Sequence, residues 1–258
     1  MLMTTILRFP LVLLFSLFGI PSTALQQEVV APPLLTSDAT LGEVIVALTT
    51  AQEQYESLYI RITDYNHLVD YATQDEVWLS SADGAFRWEV TTITPEGEVL
   101  ETVSQVSDGE YVYISTSPDG KPLVIPSVYE SSAIVEGLGV VSMVIAPEVV
   151  ANRLSEPAAQ VEITGIEEIN ERETLKVMYV SEWSMMNFWI DTQTGILMQH
   201  DIWTPEGEIV STTTVDLVES DPVFEDAESL FYVDAAAYDP ERIQGIISQL
   251  ETGQSGGE

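Results

Sequence analysis

Apolar and polar positions alternate along this chain in short blocks separated by glycine-centred turns, the pattern of antiparallel strands joined by hairpins. The turns "ADG", "PEG", "SDG" and "PDG", at Gly84, Gly97, Gly109 and Gly120, follow one another at intervals of 13, 12 and 11 residues. This spacing predicts a meander of strands. A second block of strands is predicted near Val161, Leu175, Met186, Ile196 and Ile209, with breaks at Asn170, at Thr194-Gly195 and at the "TPEGE" of Thr204 to Glu208. The same pentapeptide occurs at Thr94 to Glu98, and because the likeness extends only a few residues it reads as one hairpin chemistry used twice.

Between the two blocks, Ser127 to Pro157 lacks the turn rhythm, and Pro147 is suited to begin a short helix reaching Leu154. Helical spacing also marks "TLGEVIVALTTAQEQY", where Leu41, Val44, Val46, Ala47 and Ala51 recur, with Ser37 or Asp38 as a nearby cap. A last short helix is expected near Pro240, followed by a mobile Gly-rich tail, "ETGQSGGE". Helix, strands, helical insertion and strands in that order predict a mainly β (α+β) fold. A large antiparallel sheet with helices packed on one of its faces fits this order, and if it is strongly curved into an unclosed half-barrel its concave face meets the helices.

One stretch tests that picture. In "MMNFWIDTQTGILMQHDIW", Met185 to Trp203, Met186, Phe188 and Ile190 point one way and Met185 and Trp189 the other, while Ile196, Met198 and Ile202 oppose Leu197 and Trp203. A hairpin with one face in water alternates apolar with polar residues, so both faces here require cover.

The N-terminus carries Arg8, an apolar run from Leu11 to Ile20, Pro21, and the small residues Ser22 and Ala24, a pattern suited to export and cleavage after Ala24. An uncleaved anchor is the alternative, although the run is short for a bilayer span of about 20 residues. No later segment is apolar for long enough to cross a membrane. The expected organisation is a signal peptide over 1–24, a tether over 25–39, a half-barrel over 40–235 with a helical insertion at about 127–156, and a short helix and tail over 236–258. The location expected is extracytoplasmic, periplasmic or secreted.

Charge and composition remove whole classes of function. The formal charge is −34, from 42 acids against 8 Lys and Arg, so nucleic acid and anionic lipid headgroups are repelled. Cysteine is absent, which excludes disulfides, thiol chemistry and a lipidated N-terminal cysteine. His67 and His200 sit apart, with no metal spacing, and read as surface or edge residues. "GQSGG" at Gly253 to Gly257 matches a nucleophile-elbow pattern but lacks the flanking strand and helix. Acidic pairs such as Glu167-Glu168 are expected by chance among 42 acids. We therefore expect no enzyme, no metal and no cofactor.

"VWLSSADGAFRWEV" followed by "QVSDGEYVYISTSPDG" resembles the first half of the outer-membrane lipoprotein carrier (LolA-like) family. "VEITGIEEINERETLKVMYV", "FWIDTQTGILMQHDIW", "STTTVDLVE" and "DAESLF" resemble the second half as found in broader relatives, which include sigma-factor regulators of the RseB type. The resemblance runs from about Leu41 to Phe231. It implies an unclosed barrel with a helical lid over a hydrophobic cavity for acyl chains, with Trp78, Phe86, Trp88, Tyr111, Tyr113, Phe188 and Met198 along the cavity or its lid contact. It also implies lipid or lipoprotein acyl chains as partners, or, on the alternative reading, an envelope protein regulated by a sensor domain. Carriers of this family place a basic, lid-latching residue where Ser80 and Ser81 stand here.

Overall fold

The first helix begins where the chain can satisfy its own free N–H groups. The Glu43 amide donates to Thr40 Oγ1 (3.3 Å) and the Thr40 amide donates to Glu43 Oε2 (2.7 Å), a reciprocal capping box ahead of α1 (Leu41–Thr50). The cap is therefore Thr40 rather than Ser37 or Asp38, since only Thr40 stands three residues before a glutamate. These contacts belong to a computed structural model, which describes residues 33–80, 84–94, 96–116, 119–127, 143 and 147–254. The expected signal peptide, most of the tether, Ser81 and most of the helical insertion lie outside the described residues. The last part of the expected tether is docked: the Leu34 and Leu35 amides donate to the Thr192 carbonyl (2.8 and 3.1 Å), and the Leu35 side chain is buried.

Among the described residues, eleven strands form a single antiparallel sheet. The first block supplies β1 (Ser57–Asn66), β2 (Tyr71–Ser80), β3 (Ala85–Ile93), β4 (Val99–Ser107), β5 (Tyr111–Ile114) and β6 (Leu123–Pro126). After α2 (Glu148–Leu154), the second block supplies β7 (Gln160–Ile169), β8 (Arg172–Val180), β9 (Met185–Asp191), β10 (Leu197–Trp203) and β11 (Ile209–Ser220). Their spatial order is β6-β5-β4-β3-β2-β1-β11-β10-β9-β8-β7, so the two meanders are joined by the β1–β11 pair and the sheet remains unclosed. Each of the four glycine turns is realised with positive φ: Gly84 (64°), Gly97 (86°), Gly109 (93°) and Gly120 (71°).

Burial separates the two faces. On the core face Leu58, Ile60 and Ile62 of β1 oppose Leu79, Val77 and Asp75 of β2, and these in turn oppose Phe86, Trp88 and Val90 of β3. One hydrophobic cluster joins this face to Leu175 and Val177 of β8, to Phe188 and Ile190 of β9, and to Val44 and Leu48 of α1 and Val150 and Leu154 of α2. Seven strand spacings from β3 to β7 would span about 34 Å if flat. The two helices that cover this face among the described residues are only about 15 and 10 Å long, and a core shared between them and strands from β2 to β9 requires the sheet to wrap toward them.

The both-faces problem at Met185 to Trp203 has two answers. The register slips between Leu197 and Gln199, so the bulge turns Leu197 inward with Met198 instead of outward, and both are buried in the core. Trp189 does face outward, where its indole N–H donates to Glu167 Oε2 (2.7 Å) and Lys176 Nζ lies 4.7 Å from the ring centroid. At the other end of the sheet the C-terminal segment covers the outer face. It contains α3 (Ala227–Leu230) and leads into α4 (Pro240–Gln254), which extends into the stretch expected as a tail. Val233 packs with Val106 and Val124, Tyr238 lies 5.9 Å from Tyr111, and Arg242 pairs with Asp119 at 2.7 Å.

Candidate functional site

The core face beneath α1 and α2 is the region where this fold gathers apolar side chains from both halves of the chain. Of the seven residues singled out from the sequence, four lie on it. Phe188 and Met198 are fully buried in the main cluster, Trp88 packs against it half-buried, and Phe86 opposes Leu79 on the same face. The other three face outward. Trp78 packs on Tyr59 with ring centroids 5.3 Å apart, and Tyr111 and Tyr113 join the smaller cluster of Val106, Val124 and Val233 beneath the C-terminal segment. The structure thus brings four of the seven together and places the remaining three on the opposite side of the sheet.

The same face carries polar groups that sequence reasoning missed. Asp75 is 3% exposed and accepts from Trp88 Nε1 (2.9 Å) and Thr73 Oγ1 (3.1 Å), and burial pushes its carboxyl up to about 6. Asp64 accepts from Thr213 Oγ1 at 2.5 Å, and burial raises its carboxyl as well. Thr213 is the cross-strand partner of both Asp64 and His200.

His200 is not a surface or edge residue. Its ring is fully buried, stacked on Phe188 at 6.3 Å and 7° between planes, and among the described residues neither ring nitrogen has a hydrogen-bond partner. Burial, with a smaller contribution from the Arg153 guanidinium, holds its pKa down to about 4, so the imidazole is neutral at pH 7. A neutral imidazole carries one donor and one acceptor, and a buried polar group left unpaired costs about 1–3 kcal/mol. Strand alternation, with Met198 and Ile202 two residues to either side, was the signal that could have placed it inside. His67, by contrast, is exposed in the β1–β2 turn, as expected.

Arg153 reaches this region from α2, where its Nη1 lies 3.4 Å from Met186 Sδ. Arg172 is paired with Asp191 at 3.0 Å and Arg87 with Glu89, whereas Arg153 makes no ion pair among the described residues. No group of three or more His, Cys, Asp or Glu side chains is placed to hold a metal among the described residues. Nor is any helix there long and apolar enough to cross a membrane.

The helices are held down by modest surfaces. Val44 and Leu48 of α1 with Val150 and Leu154 of α2 are their large buried side chains, worth together about 6–12 kcal/mol at 1.5–3 kcal/mol each. An acyl chain of roughly 14–16 carbons gains about 11–13 kcal/mol by burial before ordering costs.

No protein-family model matches the chain, and no curated protein matches it. Among solved structures it is similar to MucB, at 14% identity and a TM-score of 0.49 over 76% of this chain and 63% of that one. A complex of Pseudomonas aeruginosa MucA and MucB is similar at 13% identity and a TM-score of 0.47, over 76% of this chain and 62% of that one. The lipoprotein LppX of Mycobacterium tuberculosis is similar at 14% identity and a TM-score of 0.42, over 73% of this chain and 99% of that one. The chain thus spans less than two thirds of the MucB chains it matches. At these identities the likeness concerns the chain path alone and assigns no ligand or partner to this protein.

Proposed function

We propose that this protein is an extracytoplasmic, non-enzymatic carrier or binding protein that holds lipid or lipoprotein acyl chains between the core face of its half-barrel and the helices above it. The observation that carries this reading is the apolar core face shared by both strand blocks and closed among the described residues by two short helices, whose burial energy an acyl chain matches. Trp88, Phe86, Phe188 and Met198 are the side chains in position to line such a chain. Ligand entry displaces helix from sheet, apolar surface exchanging for apolar surface, so the contribution of the acyl chain itself to affinity depends little on salt. The test is uptake of a 16-carbon fluorescent fatty acid by delipidated protein. Saturable binding that Phe188→Asp abolishes, with native circular dichroism retained, supports the reading. If that variant unfolds, Trp88→Gln at the half-buried flank replaces it. A wild-type protein that takes up no probe has an interior filled by its own side chains, and the acyl reading falls.

A second reading, a sensor domain of the RseB kind that docks an envelope protein, is favoured by two features. The antiparallel register puts the β1–β2, β3–β4 and β8–β9 hairpins at one rim, and their tips expose Leu68, Val69, Val99, Leu100 and Trp183. On the outer face, a hollow of about 620 Å³ has Phe224, Phe231 and Tyr232 in its wall and Asp108, Glu110 and Glu228 around it. Apolar surface ringed by acids suits a partner that is itself apolar and basic. Protein that captures such a partner yet takes up no acyl probe fits this second reading.

A further inference from the structure

Arg153 and His200 share an oddity in a chain this acidic. Among the described residues, the guanidinium is half-buried with no carboxylate on it and the imidazole is fully buried with nothing on either nitrogen. They are close together. Phe188 pairs with His200 and Met186 with Ile202 across the β9–β10 ladder, so Met186, on which Arg153 rests, is the diagonal neighbour of His200 on the core face, about 7–8 Å away between backbones. Glu156, which approaches from the end of α2, is occupied by the Tyr179 hydroxyl at 2.6 Å and makes no ion pair with Arg153. Both groups adjoin the apolar lining formed by Phe188, Met198 and Met186.

We propose that Arg153 and His200 form the head-group end of the acyl site, and that the ligand there is a single-chain fatty acid whose carboxylate is paired by Arg153 and hydrogen-bonded by the His200 ring. This rests on the acyl-binding reading above and adds to it the chemistry of the ligand's polar end. A carboxylate answers both orphaned groups at once: it accepts two hydrogen bonds from a guanidinium in fork geometry and one from an imidazole N–H. It also gives a partner to the arginine over the core face that, among the described residues, has no carboxylate on it. The neighbouring acids set the direction of approach. Asp64 and Asp75 lie on the far side of Thr213, toward β1 and β2, so an anion is favoured only on the α2 side of His200. A bulkier phosphate shares the anionic-oxygen chemistry and serves as a separate arm of the test.

The experiment measures binding of palmitate, 1-hexadecanol and hexadecyl phosphate to the delipidated full-length protein, with the histidine ring resonances followed by NMR. Wild-type protein is expected to prefer palmitate to hexadecanol by about tenfold or more, the value of one charge-assisted contact. Palmitate should shift the His200 resonances and leave those of exposed His67 in place. Arg153→Gln should reduce the preference to less than about twofold without weakening hexadecanol, Arg153→Lys should restore part of it, and Arg61→Gln, on the exposed side of β1, should leave it unchanged. Equal binding of palmitate and hexadecanol, or an undiminished preference in Arg153→Gln, overturns the head-group assignment while the acyl reading stands. Binding of none of the three overturns both. Hexadecyl phosphate that outcompetes palmitate in an Arg153-dependent way overturns the carboxylate in favour of a phosphate.

Discussion

Asp75 and His200 give the core face opposite pH dependences, and replacing one exposes the other. Asp75 has its pKa raised from 3.8 to about 6, so the folded protein binds this proton more tightly than the unfolded chain. Its contribution to stability is fully present below pH 4 and is lost as pH rises through 6. His200 has its pKa lowered from 6.5 to about 4, so its contribution is present above pH 6.5 and is lost as pH falls toward 4. Each full shift corresponds to about 3 kcal/mol, and between pH 7.5 and pH 5 the two change stability by about 1 and 2 kcal/mol in opposite senses. Asp75→Asn keeps an acceptor for Trp88 Nε1 and offers Thr73 a donor in place of the second carboxylate oxygen. It is expected to be more stable than wild type at pH 7.5, with that advantage shrinking by about 1 kcal/mol by pH 5. His200→Phe should show the reverse, its advantage over wild type growing by about 2 kcal/mol on the same acidification. Urea unfolding of the three proteins at pH 5 to 7.5, above the sequence pI of about 4.1, reads these differences with the other acids cancelling between variants. A difference between Asp75→Asn and wild type that stays constant across this range refutes the reasoning.

Three further outcomes are expected. Gly195 has φ 73°, and a Cβ there would stand 2.4 Å from the Ala47 carbonyl oxygen of α1, so Gly195→Ala should lower stability by about 2–4 kcal/mol and speed acyl-probe exchange by lifting α1. Stopped-flow probe release no faster than wild type would count against α1 as a lid. Thr40→Ala removes half of the capping box and should lower stability by about 1 kcal/mol, read as the shift in urea midpoint at unchanged slope. The exported form should begin near Leu25, and N-terminal sequencing that recovers Met1 would count against cleavage.

What could be read from the sequence was whatever local chemistry dictates. The four glycine turns were legible because only glycine adopts φ of 64° to 93° at little cost. The β1–β2 turn was not, because Asp70 takes φ 52° there without a glycine and Asn66 Oδ1 caps the turn by accepting from the Leu68 and Val69 amides. Helix positions followed from spacing and proline, whereas the end of α4 did not, since nothing in "ETGQ" forbids one more turn. For the site, residue type was legible and facing was not. A period of two says that Phe86 and Arg87 point apart, but which face is the core depends on partners distant in sequence. Tyr111 and Tyr113 meet Val233 and Tyr238 from more than 110 residues away. The same holds for His200, whose buried ring stacks on Phe188 of β9, and for Leu197, which a bulge turns inward.

The central claim, that the core face holds an acyl chain, is tested most directly by native mass spectrometry of the full-length protein purified from its own host without detergent. The account predicts a bound species whose excess mass, released on collisional activation, is a single acyl-bearing molecule, and whose negative-mode spectrum is that of a fatty carboxylate. Protein that carries no acyl-bearing ligand and, after delipidation, takes up no palmitate would contradict it.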